Sequence, residues 1–315
     1  MAAIKSYKGF DKNLKCRDFQ YEIGKEYKMD GEIKVCSRGF HACESPLEVF
    51  DYYPMIGSRF CEVEQDGNIS KEDRGTKICS SKIKIKAELK LADMINLGVE
   101  WLKEITSPEK IKTSIKDNSS GNYAQIGSSG YDAKIGSSGY GAKIGSSGNY
   151  AQIGSSGDDA KIGSSGNYAK IGSSGNYAQI GSSGDDAKIG SSGNYAKIGS
   201  SGDDAQIGSS GDDAKIGSSG DGAKIGSSGD DAQIGSSGYG AKIDSTGEGC
   251  VIMCAGINSV AKASKGSWIT LSEWSYSDKK KRYIPVCVKT EFVDGEKIKA
   301  DTYYKLAGGV FKEIQ

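Results

Sequence analysis

Residues 121–165 read GNYAQIGSS GYDAKIGSS GYGAKIGSS GNYAQIGSS GDDAKIGSS, and the same nine-residue phrase continues to Ile243. An isoleucine falls on every ninth position from Ile126 to Ile243, fourteen in all, with an alanine two residues before each. A fixed period of this kind is the signature of a repeat architecture. Ala-Lys-Ile alternates apolar, polar, apolar, which is strand periodicity. Ser-Ser-Gly followed by Asn-Tyr, Asp-Asp or Asp-Gly is turn chemistry, since Gly, Asn and Asp accept left-handed backbone angles. Each unit therefore reads as a short strand and a corner, with Ala and Ile inside and Lys or Gln outside.

One repeat cannot fold alone. Burying an isoleucine gives roughly 1.5–3 kcal/mol, whereas ordering nine backbones costs about 1–2 kcal/mol each. Stacking, each strand bonded to those above and below, closes that gap, so a β-solenoid is expected. Two units per 18-residue coil would face two strands across an Ala/Ile interior. The outward position reads Gln, Lys, Lys without a break from Gln125 to Lys242, which also suits a three-sided, 27-residue coil. That coil would stack like charges on two faces and leave its interior poorly filled, so the 18-residue coil is preferred and the triplet is read as recent duplication. Gly/Ser-rich disorder does not account for an unbroken isoleucine beat.

The 315 residues carry equal numbers of acids and bases, with a formal net charge of zero. Residues 121–243 hold nine Lys and twelve Asp, a net −3 that leaves +3 to the flanks. Neither value fits a nucleic-acid binder with its basic stripe, and −3 is too little for a duplex mimic. No direct nucleic-acid contact is expected. The eight cysteines form no CxxC pair. With no apolar signal core and no apolar run of membrane-spanning length, reduced cysteines in a cytoplasm fit best.

Four segments emerge: an N-terminal α/β domain at 1–105, a linker or imperfect first coil at 106–120 with Ile115 near the beat, the solenoid at 121–256, and a small β domain at 257–315. The expected fold is thus mainly β, a solenoid capped at both ends. In the first segment, strands are expected at Ala3–Phe10, Ile33–Cys36, Arg59–Glu64 and Lys77–Leu91. Ser45-Pro46-Leu47-Glu48 reads as a capping box opening a helix to about Tyr53. Residues 91–105 carry a stripe of Leu91, Met94, Ile95, Trp101, Leu102 and Ile105, interrupted by Gly98. This helix is expected to lie on the solenoid's open end, because such ends need caps. At the other end the phrase decays at Asp244, although Ile252 keeps the beat. Strands are expected there at Ser267–Leu271, Tyr283–Thr290, Lys297–Lys305 and Val310–Ile314.

Variation inside the array concentrates at the two corner residues of each unit, read as one row along the solenoid edge. Tyr123, Tyr150, Tyr168, Tyr177 and Tyr195 mark its first half; Asp203, Asp204, Asp212, Asp213, Asp230 and Asp231 mark its second. Exposed tyrosine is a favoured interface residue, so these are the candidate binding residues; a plain solvated corner is the alternative. The Asp–Gly pattern departs from the calcium nonapeptide, with the isoleucine three or four residues after the Asp and many units lacking it. His41, the sole histidine, has no cysteine at standard zinc spacing. No metal and no cofactor is expected.

Tyr7-Lys8-Gly9, Gly39-Phe40-His41 and Val49-Phe50-Asp51-Tyr52-Tyr53 follow an order that resembles small ADP-ribosyltransferase domains. That resemblance implies an alternative in which His41, Tyr7 and Tyr53 are catalytic, with Glu44, Glu62 or Glu64 as the unplaced glutamate. Over nearly the whole chain, the opening KGFDKNLKCRDFQYEIGKEYK, GFHACESPLEVFDYYP, the Ala-x-Ile-Gly-Ser repeats and the closing KGSWITLSEW…RYIPVCVKTEFVDGEKIKADTYYKL resemble phage and prophage proteins. This likeness implies a phage role: a non-enzymatic protein of the host cytoplasm that binds and blocks a host protein or ribonucleoprotein complex, with inhibition of a defence nuclease, anti-CRISPR included, as the sharpest form. A structural virion or adhesin protein is the other reading, and a homo-oligomer built through the end domains is a further expected arrangement.

Overall fold

The structure is a computed structural model, and it describes residues 3–54, 57–71, 76–105 and 121–314. The expected linker at 106–120 lies outside the described residues. The chain divides into two compact units, 1–101 and 102–315.

The first unit begins with β1 (Ile4–Phe10), the short β2 (Lys15–Cys16), β3 (Phe19–Gln20) and β4 (Glu26–Lys28), then β5 (Phe40–Cys43). Two thirteen-residue strands, β6 (Arg59–Lys71) and β7 (Lys77–Leu89), complete its sheet, and helix α1 (Leu91–Ile105) starts in this unit and runs past its boundary. The main sheet runs β4-β7-β5-β1-β6, and β6 also pairs with β7, so it closes on itself. Phe10, Tyr21, Phe40, Val63, Ile83 and Ile85 are buried together in its core.

Three expectations change here. Ile33–Cys36 makes no strand, because Cys36 is held at φ 63 and a lone bridge joins Lys34 to Arg38. The capping box does not form. A 3₁₀ turn spans Leu47–Asp51 without a side-chain cap, and the buried Glu48 carboxylate instead accepts from the Thr76 N–H and hydroxyl at 2.9–3.0 Å. Among the side chains described along α1, Met94, Ile95 and Val99 are buried, while the expected Leu102 and Ile105 lie outside the described side chains. Gly98 belongs to that packing, since a Cβ there would press into the Leu47 side chain.

In the second unit, fourteen four-residue strands recur every nine residues, from β8 (Gln125–Ser128) to β21 (Lys242–Ser245). Each pairs in parallel with the strand eighteen residues on, in perfect register, as Ile162 opposite Ile180. Two strands therefore make one coil, as expected. The even-numbered strands form one sheet and the odd-numbered the other. Ala, Ile and the first Ser of each unit point inward; Ala178 and Ile180 are 0% and 3% exposed. The Gln-Lys-Lys triplet has a structural consequence on a two-sided coil. Each face also reads Gln, Lys, Lys, so Lys161 sits between Lys143 and Gln179. Stacked like charges are thereby diluted.

The corner separates two roles that the sequence blends. The glycine after Ser-Ser is needed for stacking: a Cβ at Gly184 would overlap the carbonyl of Gly166 in the preceding coil. The left-handed conformation belongs instead to the second variable residue, at every corner from Tyr123 to Asn258.

Both sheets run on past the repeats. β22 (Val251–Cys254) and β23 (Val260–Lys262) add in parallel, one to each. The first sheet then ends on β24 (Trp268–Ser277) and the antiparallel β25 (Arg282–Phe292). The second ends on β26 (Tyr303–Ala307) and β27 (Val310–Ile314). The strand expected at Lys297–Lys305 is thus confined to its last residues. Asp244, where the phrase decays, joins the array to this end: its carboxylate lies 3.1 Å from Lys262 Nζ and accepts from the Tyr303 hydroxyl at 3.3 Å. None of the eight cysteines is in a disulfide.

Candidate functional site

An 18-residue coil sends successive corners to opposite sides, so the single expected row becomes two. Tyr123, Tyr177, Tyr195, Asp212, Asp213, Asp230 and Asp231 lie on one edge; Tyr150, Tyr168, Asp203 and Asp204 lie on the other. The register of the array was the available signal, since residues share an edge only when eighteen apart.

The two corner residues do different work. The first is usually Asn or Asp, and its Oδ1 accepts the backbone N–H of the equivalent residue one coil on. Asn149 accepts from Asn167 at 3.0 Å, Asp185 from Asp203 at 3.0 Å, and Asp212 from Asp230 at 3.1 Å. Asn and Asp interchange because only that oxygen is used. Asp203, Asp212 and Asp230, expected as binding residues, therefore also support the coil.

The second corner residue is left-handed, and where it is tyrosine the side chain is exposed. Tyr150 stacks on Tyr168 with ring centroids 4.9 Å apart and planes 9° apart; Tyr177 stacks on Tyr195 at 4.9 Å and 7°. Each pair is followed by aspartates. The Tyr168 and Tyr195 hydroxyls are pushed up in pKa by the charges of Asp186 and Asp213 respectively. Asp186 is itself raised by partial burial and then by Asp204 and Asp185. Asp185, Asp186 and Asp221 extend the acidic run of the second edge and escape a reading that follows the array in one row.

The residues of the transferase resemblance meet in a separate cleft of the first unit, lined by Tyr7, His41 and Tyr53. Their polar atoms serve neighbours. His41 Nε2 accepts the Cys36 N–H at 3.0 Å, and the Tyr53 hydroxyl lies 2.9 Å from Cys16 Sγ. Burial lowers the His41 pKa and raises that of Tyr53. Glu44, Glu62 and Glu64 are held by Lys71, Lys5 and Lys86 and do not line the cleft. Among the described residues no group of three His, Cys, Asp or Glu is placed to hold a metal.

Residues 4–97 match the family model described as a domain of unknown function (DUF7666), a stretch that covers less than half of the chain. No curated protein and no solved structure matches. No helix among the described residues is long and apolar enough to cross a membrane.

Proposed function

We propose that this is a phage-type, non-enzymatic interaction protein of the host cytoplasm, whose solenoid edges dock on a basic host macromolecule and block it. The left-handed tyrosines carry the proposal. At five corners a tyrosine holds φ between 57° and 60°, where Gly, Asn or Asp would sit more easily. That conformation costs about 1–2 kcal/mol per residue. Stacking in the two pairs offsets about 0.5–1.5 kcal/mol each, which leaves strain kept at an exposed surface. Such strain marks functional positions, and tyrosine is the interface residue of choice.

The aspartates that follow each pair select the partner. They repel phosphate and attract a basic protein face. A host ribonucleoprotein or nuclease presents such a face where it would otherwise hold nucleic acid, so a defence nuclease, a CRISPR effector included, is the sharpest form of the proposal.

The test treats the edges separately in pull-downs from host cells. One variant changes Tyr177, Tyr195, Asp213 and Asp231 to Asn; the other changes Tyr150, Tyr168, Asp186 and Asp204 to Asn. Asn tolerates the left-handed corner, and the carboxylates that accept backbone N–H groups are left in place. A nucleic-acid-binding host complex that is retained by the wild type, lost with one edge and weakened by salt supports the blocking role. Recovery of virion proteins alone, indifferent to both edges, would sink it in favour of a structural role.

A further inference from the structure

The cleft of the first unit holds a charge arrangement that the solenoid does not explain. β1 and β5 pair only at Tyr7 opposite Cys43. Lys8 follows that pair, and its ammonium crosses to donate to the His41 carbonyl at 2.9 Å and to Cys16 Sγ at 3.5 Å. The residue is 5% exposed, and Nζ lies over the rings of Phe10 and Tyr21 at 5.4 and 5.8 Å. Among the described residues no carboxylate pairs with it. A buried charge without a counter-charge is costly, and burial lowers the Lys8 pKa accordingly.

Arg17 lines the same cleft from a left-handed position at φ 55. It too has no carboxylate partner among the described residues. Its charge is close enough to disfavour the Lys8 ammonium further. Asp18 is the one acid among the described lining residues, whereas the other lysines there are engaged, Lys28 with Glu26 and Lys77 over the Tyr52 ring. Two unneutralised cations thus converge on one space. Beside them stands an edge-to-face set of aromatics, Phe19, Tyr21 and Tyr27, with Phe19 47% exposed.

We propose that this cleft binds a small organic anion that carries a flat ring, its anionic group between Lys8 and Arg17 and its ring against Phe19. The volume of about 800 Å³ suits a ligand of that size. Arg supplies a planar fork for carboxylate or phosphate, and the buried lysine supplies a point charge in a medium that strengthens the pairing. The shared chemistry could come from a nucleoside monophosphate or an aromatic carboxylate.

Calorimetric titration of the full chain tests this with adenosine monophosphate, 4-hydroxybenzoate, adenosine, phenol and inorganic phosphate. At least one of the two ring-bearing anions is expected to bind with a Kd at or below about 1 mM. The uncharged analogues should not bind, and phosphate should bind at least tenfold more weakly. Binding of the nucleotide alone assigns the first source; binding of the carboxylate alone assigns the second. Lys8→Met and Arg17→Ser should each weaken binding at least tenfold. Arg17 is exposed, so its variant keeps the test decisive if Lys8→Met does not fold. The site is overturned if neither anion binds, if phosphate binds as tightly as the ring-bearing anions, or if binding survives substitution in a folded variant.

Discussion

The two units solve the burial problem in opposite ways. In the solenoid each residue meets its own equivalent eighteen residues on, and Ile is the largest side chain of the repeating core. In the first unit the core is aromatic and non-local: Phe10 packs on Tyr21, Phe50 on Phe60, and Ser6 reaches Gln65 across 59 residues. Solenoid stability is therefore close to a sum of equal nearest-neighbour steps. The first unit has no such steps and is expected to open as one cooperative body. A defect should consequently stay local along the array, yet spread through the first unit.

The largest expected effect breaks the array. Ile180→Asp places an unpaired carboxylate between coils where the wild-type side chain is 3% exposed. The loss should be on the order of 4–5 kcal/mol or more, in the range reserved for buried unpaired charge. Hydrogen exchange should show lost protection around β14 (Gln179–Ser182) and its neighbouring strands, with amides of the first unit still protected. An unchanged melt would mean that the isoleucines do not face inward. Equal loss of protection in both units would mean that they fold as one.

The same contrast explains what could be read from the sequence. A beat of one isoleucine in nine fixes strand, inward face and coil together, because every coil repeats the evidence. The 18-residue coil also followed from how little a wider coil could fill. The two edges did not, because linear order hides that adjacent corners face opposite sides. Nor did the separate roles of the corner residues, since Asn and Asp serve equally as acceptors and as left-handed residues. In the first unit the capping box misled because Glu48 finds Thr76, a partner 28 residues away. The cleft was half legible: its short motifs named Tyr7, His41 and Tyr53, but Lys8 looked like an ordinary strand lysine until its burial was known.

A smaller effect sharpens the comparison through two serines. Ser182 belongs to a column of buried serine hydroxyls inside the solenoid that have no hydrogen-bond partner among the described residues. Ser6 is also buried, but its hydroxyl donates to Gln65 Oε1 at 2.8 Å. Removing a bonded, buried hydroxyl leaves its partner unsatisfied and costs about 1–3 kcal/mol, whereas removing an unbonded one is near neutral or stabilising. Ser6→Ala should therefore lower the melting temperature of the first unit. Ser182→Ala should leave that of the solenoid unchanged or raised. A loss on the order of 1 kcal/mol at Ser182 would show that the column is hydrogen-bonded in solution.

The smallest expected effect separates the units by pH. Glu88 receives Arg59 through two 2.6 Å hydrogen bonds, which hold its pKa below the usual carboxylate range. A lowered folded pKa means a contribution complete above the unfolded value, about 4.3, and lost as pH falls through the folded one. Asp186 is the reverse case, raised by partial burial and then by Asp204 and Asp185. Its contribution is most favourable below the unfolded value, about 3.9, and is lost as pH rises through the folded pKa. Acidification from neutral pH should thus weaken the first unit at Glu88 and relieve the solenoid at Asp186. Both groups are partly exposed and screened, so each effect should be on the order of 0.5 kcal/mol. Melts at pH 7 and pH 3 check the signs. Glu88→Gln should destabilise at pH 7 and be nearly silent at pH 3. Asp186→Asn, which keeps a residue at ease in the left-handed corner, should stabilise at pH 7 and lose that advantage at pH 3. If Asp186→Asn destabilised at pH 7, the carboxylate would be supporting the edge and not straining it. The acidic runs would then be part of the scaffold, and the left-handed tyrosines would remain as the whole of the recognition surface.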